Sequence, residues 1–73
     1  SSSVFPNPST GVFTVETPGA ATMEIFNVAG QLVHTQSTTD SKAVVELKQP
    51  AGTYTVKVNT ANGTESHQVT LVK

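Results

Sequence analysis

Two histidines and five carboxylates are the side chains in this sequence that could carry acid–base or metal chemistry. His34 and His67 lie in segments whose alternating pattern predicts strands, both at positions expected to face solvent. A catalytic zinc ion needs three protein ligands close together. The carboxylates are spread over different segments, and their spacing predicts no such cluster: Glu16, Glu24, Asp40, Glu46 and Glu65. We interpret both histidines as solvated strand residues and predict no metal site.

Nucleophilic and nucleotide chemistry are equally unsupported by the motifs. Serine and threonine are abundant, but the sequence has no G-x-S-x-G stretch, no G-x-G-x-x-G stretch and no phosphate-binding loop pattern. There is no cysteine, which excludes a thiolate nucleophile and a disulfide framework. A small hydrolase would need a nucleophile–base pair that the sequence does not offer. We predict no catalytic residues, no cofactor and no enzymatic activity.

Charge and length exclude two further classes of partner. Four basic and five acidic residues give a net charge of −1, so no basic field is available to hold nucleic acid. No apolar run approaches the ~18 residues of a membrane-spanning helix. A chain of 73 residues fits one small domain.

The elements that must position these residues are short strands. Apolar residues alternate with polar ones, as in TYTVKVN, where Tyr54, Val56 and Val58 share one face. Similar runs, with a short strand at residues 4–5, predict about seven strands and no helix. Frequent turn signals between them favour an all-β fold, a single antiparallel β-sandwich of the Ig-like kind.

The turns and one edge can also be placed from the sequence. Gly30, three residues after Asn27, is expected to take positive φ in a bulged turn, and Asn62-Gly63 is expected to form a type I′ hairpin. Residues 37–42 are polar and unpatterned, which predicts an exposed loop. The short run at residues 32–36 is expected to be an edge strand, which favours weak homodimerisation.

Four stretches in a fixed order carry a family resemblance. They are PNPSTGVFTV, ATMEIFNVAGQLV, LKQPAGTYTVKV and the terminal QVTLVK. Together they resemble the type A C-terminal sorting domain of the type IX (Por) secretion system of Bacteroidetes. The resemblance covers residues 4–73, which leaves residues 1–3 as residual linker.

The resemblance implies a function without catalysis. Such a domain is an Ig-like sandwich at the end of an N-terminal cargo protein that reaches the periplasm by its own signal. The outer-membrane type IX translocon recognises the folded domain, and a sortase-like cysteine peptidase usually removes it. The cargo is then at the cell surface or secreted.

Carried over position by position, the family's motifs give candidate residues for translocon recognition. They are Pro6, Asn7, Pro8, Gly11, Gly30, Gln31, Gly52, Tyr54, Val69, Thr70, Leu71, Val72 and Lys73. For the glycines and Tyr54, a role in folding is the favoured interpretation. For the proline motif, a structural cap and a recognition surface are equally open. For the last strand, recognition is slightly favoured.

One alternative function remains at this point. An Ig-like accessory module could bind carbohydrate or mediate adhesion. A sugar platform normally needs two or more exposed aromatic side chains, and Phe26 is the one aromatic residue expected on a solvent face. Carbohydrate binding is therefore the weaker hypothesis.

Overall fold

The chain folds into seven strands joined by short turns. The structure is a computed structural model, and it describes residues 2–72. Within that part of the chain all regular structure is β, which confirms the all-β prediction. The strands are β1 (Ser3–Phe5), β2 (Val12–Glu16), β3 (Ala21–Phe26), β4 (Leu32–Thr38), β5 (Lys42–Glu46), β6 (Gly52–Thr60) and β7 (Gly63–Leu71).

The strands form two antiparallel sheets that pack face to face as a sandwich. One sheet has the order β1-β2-β5 and the other has the order β4-β3-β6-β7. Alternate residues of both sheets point inward, because side chains along a strand alternate between its two faces. The core consists of Phe13, Val15, Ala21, Met23, Ile25, Ala43, Val45, Leu47, Tyr54, Val56, Val58, Val69 and Leu71. The alternation in the sequence predicted these inward faces correctly.

The longest pairing is the hairpin of β6 and β7. It extends from Gly52 opposite Leu71 to Thr60 opposite Gly63. The prediction of a hairpin here is confirmed, but the turn lies one residue earlier than expected, at Ala61 and Asn62. Only glycines have positive φ among the described residues, so Asn62 is not in a type I′ turn. The Thr60 hydroxyl accepts a hydrogen bond from the Asn62 N–H at 3.2 Å, which stabilises the alternative turn.

The loop predicted over residues 37–42 is shorter than expected, because only residues 39–41 lie outside strands. Ser37 and Thr38 continue β4, where they pair with Thr22 and Ala21 of β3, and Lys42 already belongs to β5. Pairing with the neighbouring strand overrides the weak patterning of this polar segment. The chain therefore crosses from one sheet to the other over residues 39–41 alone.

The N-terminal strand begins one residue earlier than the sequence suggested. Ser3, which the sequence assigned to the linker, pairs with Glu16 as the first residue of β1. Both proline peptide bonds that follow, Phe5–Pro6 and Asn7–Pro8, are cis. Residues 2–72 contain no helix that could span a membrane.

Candidate recognition surface

The proline motif at the start of the chain is bonded to the last strand. The Asn7 amide nitrogen donates to the Gln68 carbonyl at 3.0 Å, and the Asn7 amide oxygen accepts from the Thr70 N–H at 3.0 Å. A single side chain thus makes the two hydrogen bonds that a neighbouring strand would make. Since β7 is the last strand of its sheet, Asn7 covers an edge that would otherwise be open.

Ser9 continues this contact with its main chain. Its N–H donates to the Thr70 carbonyl, and its carbonyl accepts from the Val72 N–H, both at 2.8 Å. Its hydroxyl donates to the Val12 carbonyl at 2.9 Å and accepts from the Gly11 N–H at 3.1 Å. Ser9 is only 1% exposed, so these bonds satisfy a buried polar side chain. The sequence reasoning missed Ser9 because one serine among many polar residues carries no periodic signal.

Gly11 closes the first motif against the start of β2. Its φ is +125°, and a Cβ atom built there would lie 3.2 Å from the Leu47 carbonyl oxygen. The Leu47 N–H donates to the Gly11 carbonyl at 2.7 Å. Both the backbone conformation and the close approach favour glycine at this position.

Asn27 organises the turn that contains Gly30 and Gln31. Its amide oxygen accepts from the N–H groups of Ala29 and Gln31, and its amide nitrogen donates to the Gln31 side chain at 2.9 Å. The Gly30 N–H donates to the Asn27 carbonyl at 3.0 Å, with Gly30 at φ +83°. The predicted positive φ of Gly30 is confirmed.

Tyr54 fixes the approach to β6. Its ring is in the core, 5% exposed, and its hydroxyl donates to the Pro50 carbonyl at 2.7 Å. This bond ties the segment before β6 to the strand itself, as a tyrosine corner does in sandwich folds. Gly52, at the start of the strand, lies opposite Leu71.

These contacts bring the four sequence motifs to one end of the sandwich. Ser9 and Gly52 flank Leu71 on its two sides, and the Gly30 turn follows β3 next to the start of β6. Residues of the first motif and of the segment before β6 line one shallow cleft. We call this region, made of residues 6–11, 27–31, 49–52 and 69–72, the motif end. The opposite end, where β1 begins, contains residues 17–20, 39–41 and 61–62.

Burial divides the candidate residues into two groups. Four are buried in the fold and hidden from any partner: Gly11, Tyr54, Val69 and Leu71. Eight are exposed at the motif end: Pro6, Asn7, Pro8, Gly30, Gln31, Gly52, Thr70 and Val72. Lys73 lies outside the described residues.

The prediction that the two histidines face solvent is wrong. His34 lies opposite Ile25 and His67 lies opposite Val56, so both are on the inward side of edge strands. The four-stranded sheet is wider than the three-stranded one, which leaves these inward positions partly covered. His34 Nε2 lies 2.9 Å from the amide oxygen of Gln36. The alternation of His67 with Val69 and Leu71 was the signal that could have placed it.

His67 belongs to a small polar cluster that ties the N-terminal segment to β7. Its Nε2 lies 2.6 Å from the Ser2 hydroxyl oxygen, and that hydroxyl also donates to the Glu65 carboxylate. The Ser2 hydrogen bond holds the pKa of Glu65 below its usual value of 4.5. Among residues 2–72, no group of three or more histidines and carboxylates could hold a metal ion.

The aromatic residue proposed for sugar binding is only partly exposed. Phe26 lies on the outer face of the four-stranded sheet, as predicted, with the Lys57 ammonium 6.0 Å from its ring centroid. Most of the other side chains in this region are polar, including Thr53, Thr55 and Ser66. The expectation that Phe26 is the one solvent-facing aromatic is wrong, because Phe5 is 43% exposed on β1. The two residues belong to different sheets, so their rings do not form a common stacking platform.

Comparison with known proteins gives a family match and a similar fold. The sequence profile of a family described as the secretion system C-terminal sorting domain matches residues 3–73. No curated protein sequence gives a significant match. A solved structure of PorZ from Porphyromonas gingivalis, described as an essential surface component of the type IX secretion system, is similar in fold. The TM-score is 0.83 at 14% identity, and the alignment covers 99% of this chain but 11% of PorZ.

Proposed function

Because the chain belongs to the family of secretion-system C-terminal sorting domains, we propose that it takes a cargo protein through the type IX translocon by presenting the motif end. Membership of this family indicates that the chain is a type IX sorting signal, which directs a protein to the cell surface or the exterior. The family is not catalytic. Beyond family membership, we propose that the translocon binds the motif end.

The convergence of the four motifs supports this proposal. They are separated in sequence, yet Asn7 and Ser9 join the first to the fourth, and Gly52 joins the third to the fourth. A partner that binds this end would contact all four motifs only when the domain is folded. The translocon would then recognise only the folded domain.

The position of β1 suggests how cargo and signal are separated. Ser3 pairs with Glu16, at the end of the sandwich away from the motif end. A cargo protein joined ahead of β1 would therefore leave the motif end accessible. We propose that a linker joins the cargo to β1, that the cargo transits the periplasm, and that a sortase-like cysteine peptidase cuts in this linker ahead of β1.

Export of a reporter tests recognition at the motif end. A periplasmic reporter is fused ahead of the 73-residue chain in a bacterium with a type IX system, and reporter at the cell surface and in the medium is measured. Val72 is 40% exposed, so Val72→Lys changes the surface without opening the core. We expect this variant to reduce export at least fivefold. Ser66→Lys, exposed on the far half of β7, is the matched control and should export like wild type.

Two results would contradict the proposal. If the unmodified fusion remains in the periplasm, the chain does not act as the signal. If Val72→Lys exports normally, the exposed surface of the motif end is not recognised. Far-UV circular dichroism of both purified variants verifies that neither lysine has unfolded the domain.

The alternative of a carbohydrate-binding or adhesion module receives no comparable support. It would require a surface on which several aromatic rings stack, and the exposed Phe5 and the partly exposed Phe26 lie in different sheets. We therefore retain secretion as the one proposed function.

A further inference from the structure

Strand β4 is an edge strand, and most of its length has no feature that protects its main chain from pairing with another strand. It ends the four-stranded sheet, so one side of its main chain has no neighbouring strand. Its seven residues, Leu32–Thr38, include neither a proline nor a residue with permanent charge. Exposed edges of this kind accept another strand unless proline, charge, a bulge or a cover prevents it. A bulge at Ile25/Phe26 disturbs the start of β4 only.

The other three edges are protected by identifiable devices. Asn7 and Ser9 cover the C-terminal part of β7, and Glu65 places a charge in its first half. Strand β1 has only three residues and is followed by Pro6. Strand β5 carries Lys42 and Glu46, and one of its carbonyls accepts a hydrogen bond from a β4 side chain, Gln36, at 3.1 Å. The contrast identifies β4 as the edge that is free to pair.

We propose that β4 pairs antiparallel with β4 of a second copy of this chain, about a two-fold axis through Thr35. This register is centred on the regular part of the strand, which begins at His34 after the bulge. It places Thr35 opposite Thr35, and His34 opposite Gln36. No permanent charge faces a like charge, and opposed threonines can exchange a hydrogen bond across the strands. Nothing indicates a charged partner, because β4 has no permanent charge that such a partner could complement.

The arrangement of the two sheets leaves this edge accessible. Strand β1 contacts β7 on one side of the sandwich, whereas β4 contacts β5 on the other. A segment ahead of β1 therefore enters on the side away from β4. One pair of strands buries less than the ~1,200 Å² at the lower limit of stable interfaces, so the dimer is weak and depends on concentration. The inference is independent of secretion.

Sedimentation equilibrium of the 73-residue chain tests the pairing. The apparent mass of wild type should rise with concentration toward twice the monomer mass of 7.6 kDa. Thr35→Lys places two ammonium groups opposite each other at the axis and should weaken association at least tenfold. Within the monomer this lysine would lie beside Glu24, so the fold should tolerate it. Thr53→Lys adds the same charge at an exposed position of a central strand and should associate like wild type.

Variants of opposite charge at Thr35 distinguish a loss of β4 pairing from a general loss of structure. Thr35→Lys and Thr35→Glu should each be monomeric, and their mixture should associate at least as well as wild type. If Thr35→Glu does not fold, Thr35→Cys replaces it and should form a disulfide-linked dimer on oxidation, whereas Thr53→Cys should not. A wild-type chain that stays monomeric at all concentrations would overturn the proposal. So would a Thr35→Lys variant that associates normally.

Discussion

Asn7 replaces a neighbouring strand with one side chain, and the stability of the domain should depend on it. Asn7→Ala removes the bonds to Gln68 and Thr70. Each hydrogen bond contributes about 0.5–1.5 kcal/mol net, so we expect a loss of about 1–3 kcal/mol in the free energy of unfolding. Urea unfolding followed by circular dichroism measures this loss.

Asn62→Ala provides the matched control for that measurement. Asn62 is exposed in the turn at the opposite end, and only its main-chain N–H contributes a hydrogen bond. Its replacement should change the free energy of unfolding by less than about 0.5 kcal/mol. Equal stability of the Asn7 and Asn62 variants would show that the amide contacts to β7 contribute nothing.

At the scale of elements, the entry into β2 depends on the backbone of Gly11. Gly11→Ala combines positive φ with a Cβ atom 3.2 Å from the Leu47 carbonyl oxygen. Strained backbone of this kind costs about 1–3 kcal/mol, so we expect a loss of that size in the free energy of unfolding. Since the Leu47 N–H bonds to the Gly11 carbonyl, the strain should also loosen the end of β5. Amide hydrogen exchange at Leu47 should therefore become faster.

Gly19→Ala is the comparison for this prediction. Gly19 has no positive φ, and a Cβ atom there would meet nothing within 4 Å. We expect unchanged or slightly higher stability, because alanine reduces the freedom of the unfolded chain. A Gly11 variant as stable as the Gly19 variant would contradict the strain argument.

The sequence predicted the core faces of the strands but not the length of β4 or the cover over two inward side chains. Alternation placed Phe13, Met23 and Tyr54 correctly in the core, because inward faces of a two-sheet fold exclude water from every second residue. Alternation could not distinguish the end of β4 from a loop, since polar residues there extend the strand by pairing with β3 alone. Nor could it show how far His34 and His67 are covered by the other sheet, because that depends on the sheets having unequal width.

The candidate surface was predictable in its residues but not in its geometry. The family motifs named Asn7 and Thr70 separately, and the hydrogen bond between them spans most of the chain. Local patterns carry no information about a contact of that sequence separation. Ser9 was missed for the same reason, although its bonds to Thr70 and Val72 continue the same edge.

At the scale of the whole molecule, the domain has two ends with different roles. The motif end brings residues 6–11 together with residues 69–72, and β1 begins at the other end. The polar cluster of Ser2, Glu65 and His67 lies along the side between them. Under the proposed function, the cargo and the recognised surface would therefore be held apart by the length of the sandwich.

This arrangement predicts that shortening the C-terminus destroys the fold as well as the signal. Deleting residues 69–73 removes two core side chains, Val69 and Leu71. It also removes the main-chain groups of Thr70 and Val72 that bond to Asn7 and Ser9. Burial of two such side chains contributes about 3–6 kcal/mol. A domain of 73 residues has a total stability of about 4–11 kcal/mol. The truncated chain should therefore be largely unfolded, with loss of its β-sheet circular dichroism and rapid digestion by a nonspecific protease.

If the truncated chain is unfolded, its retention in the periplasm follows from loss of the fold and does not identify the residues that the translocon binds. The folded Val72→Lys variant identifies them, because its core and the Asn7 contacts are intact. A truncated chain that remains folded and resists the protease would show that Val69 and Leu71 are not required for the stability of the core.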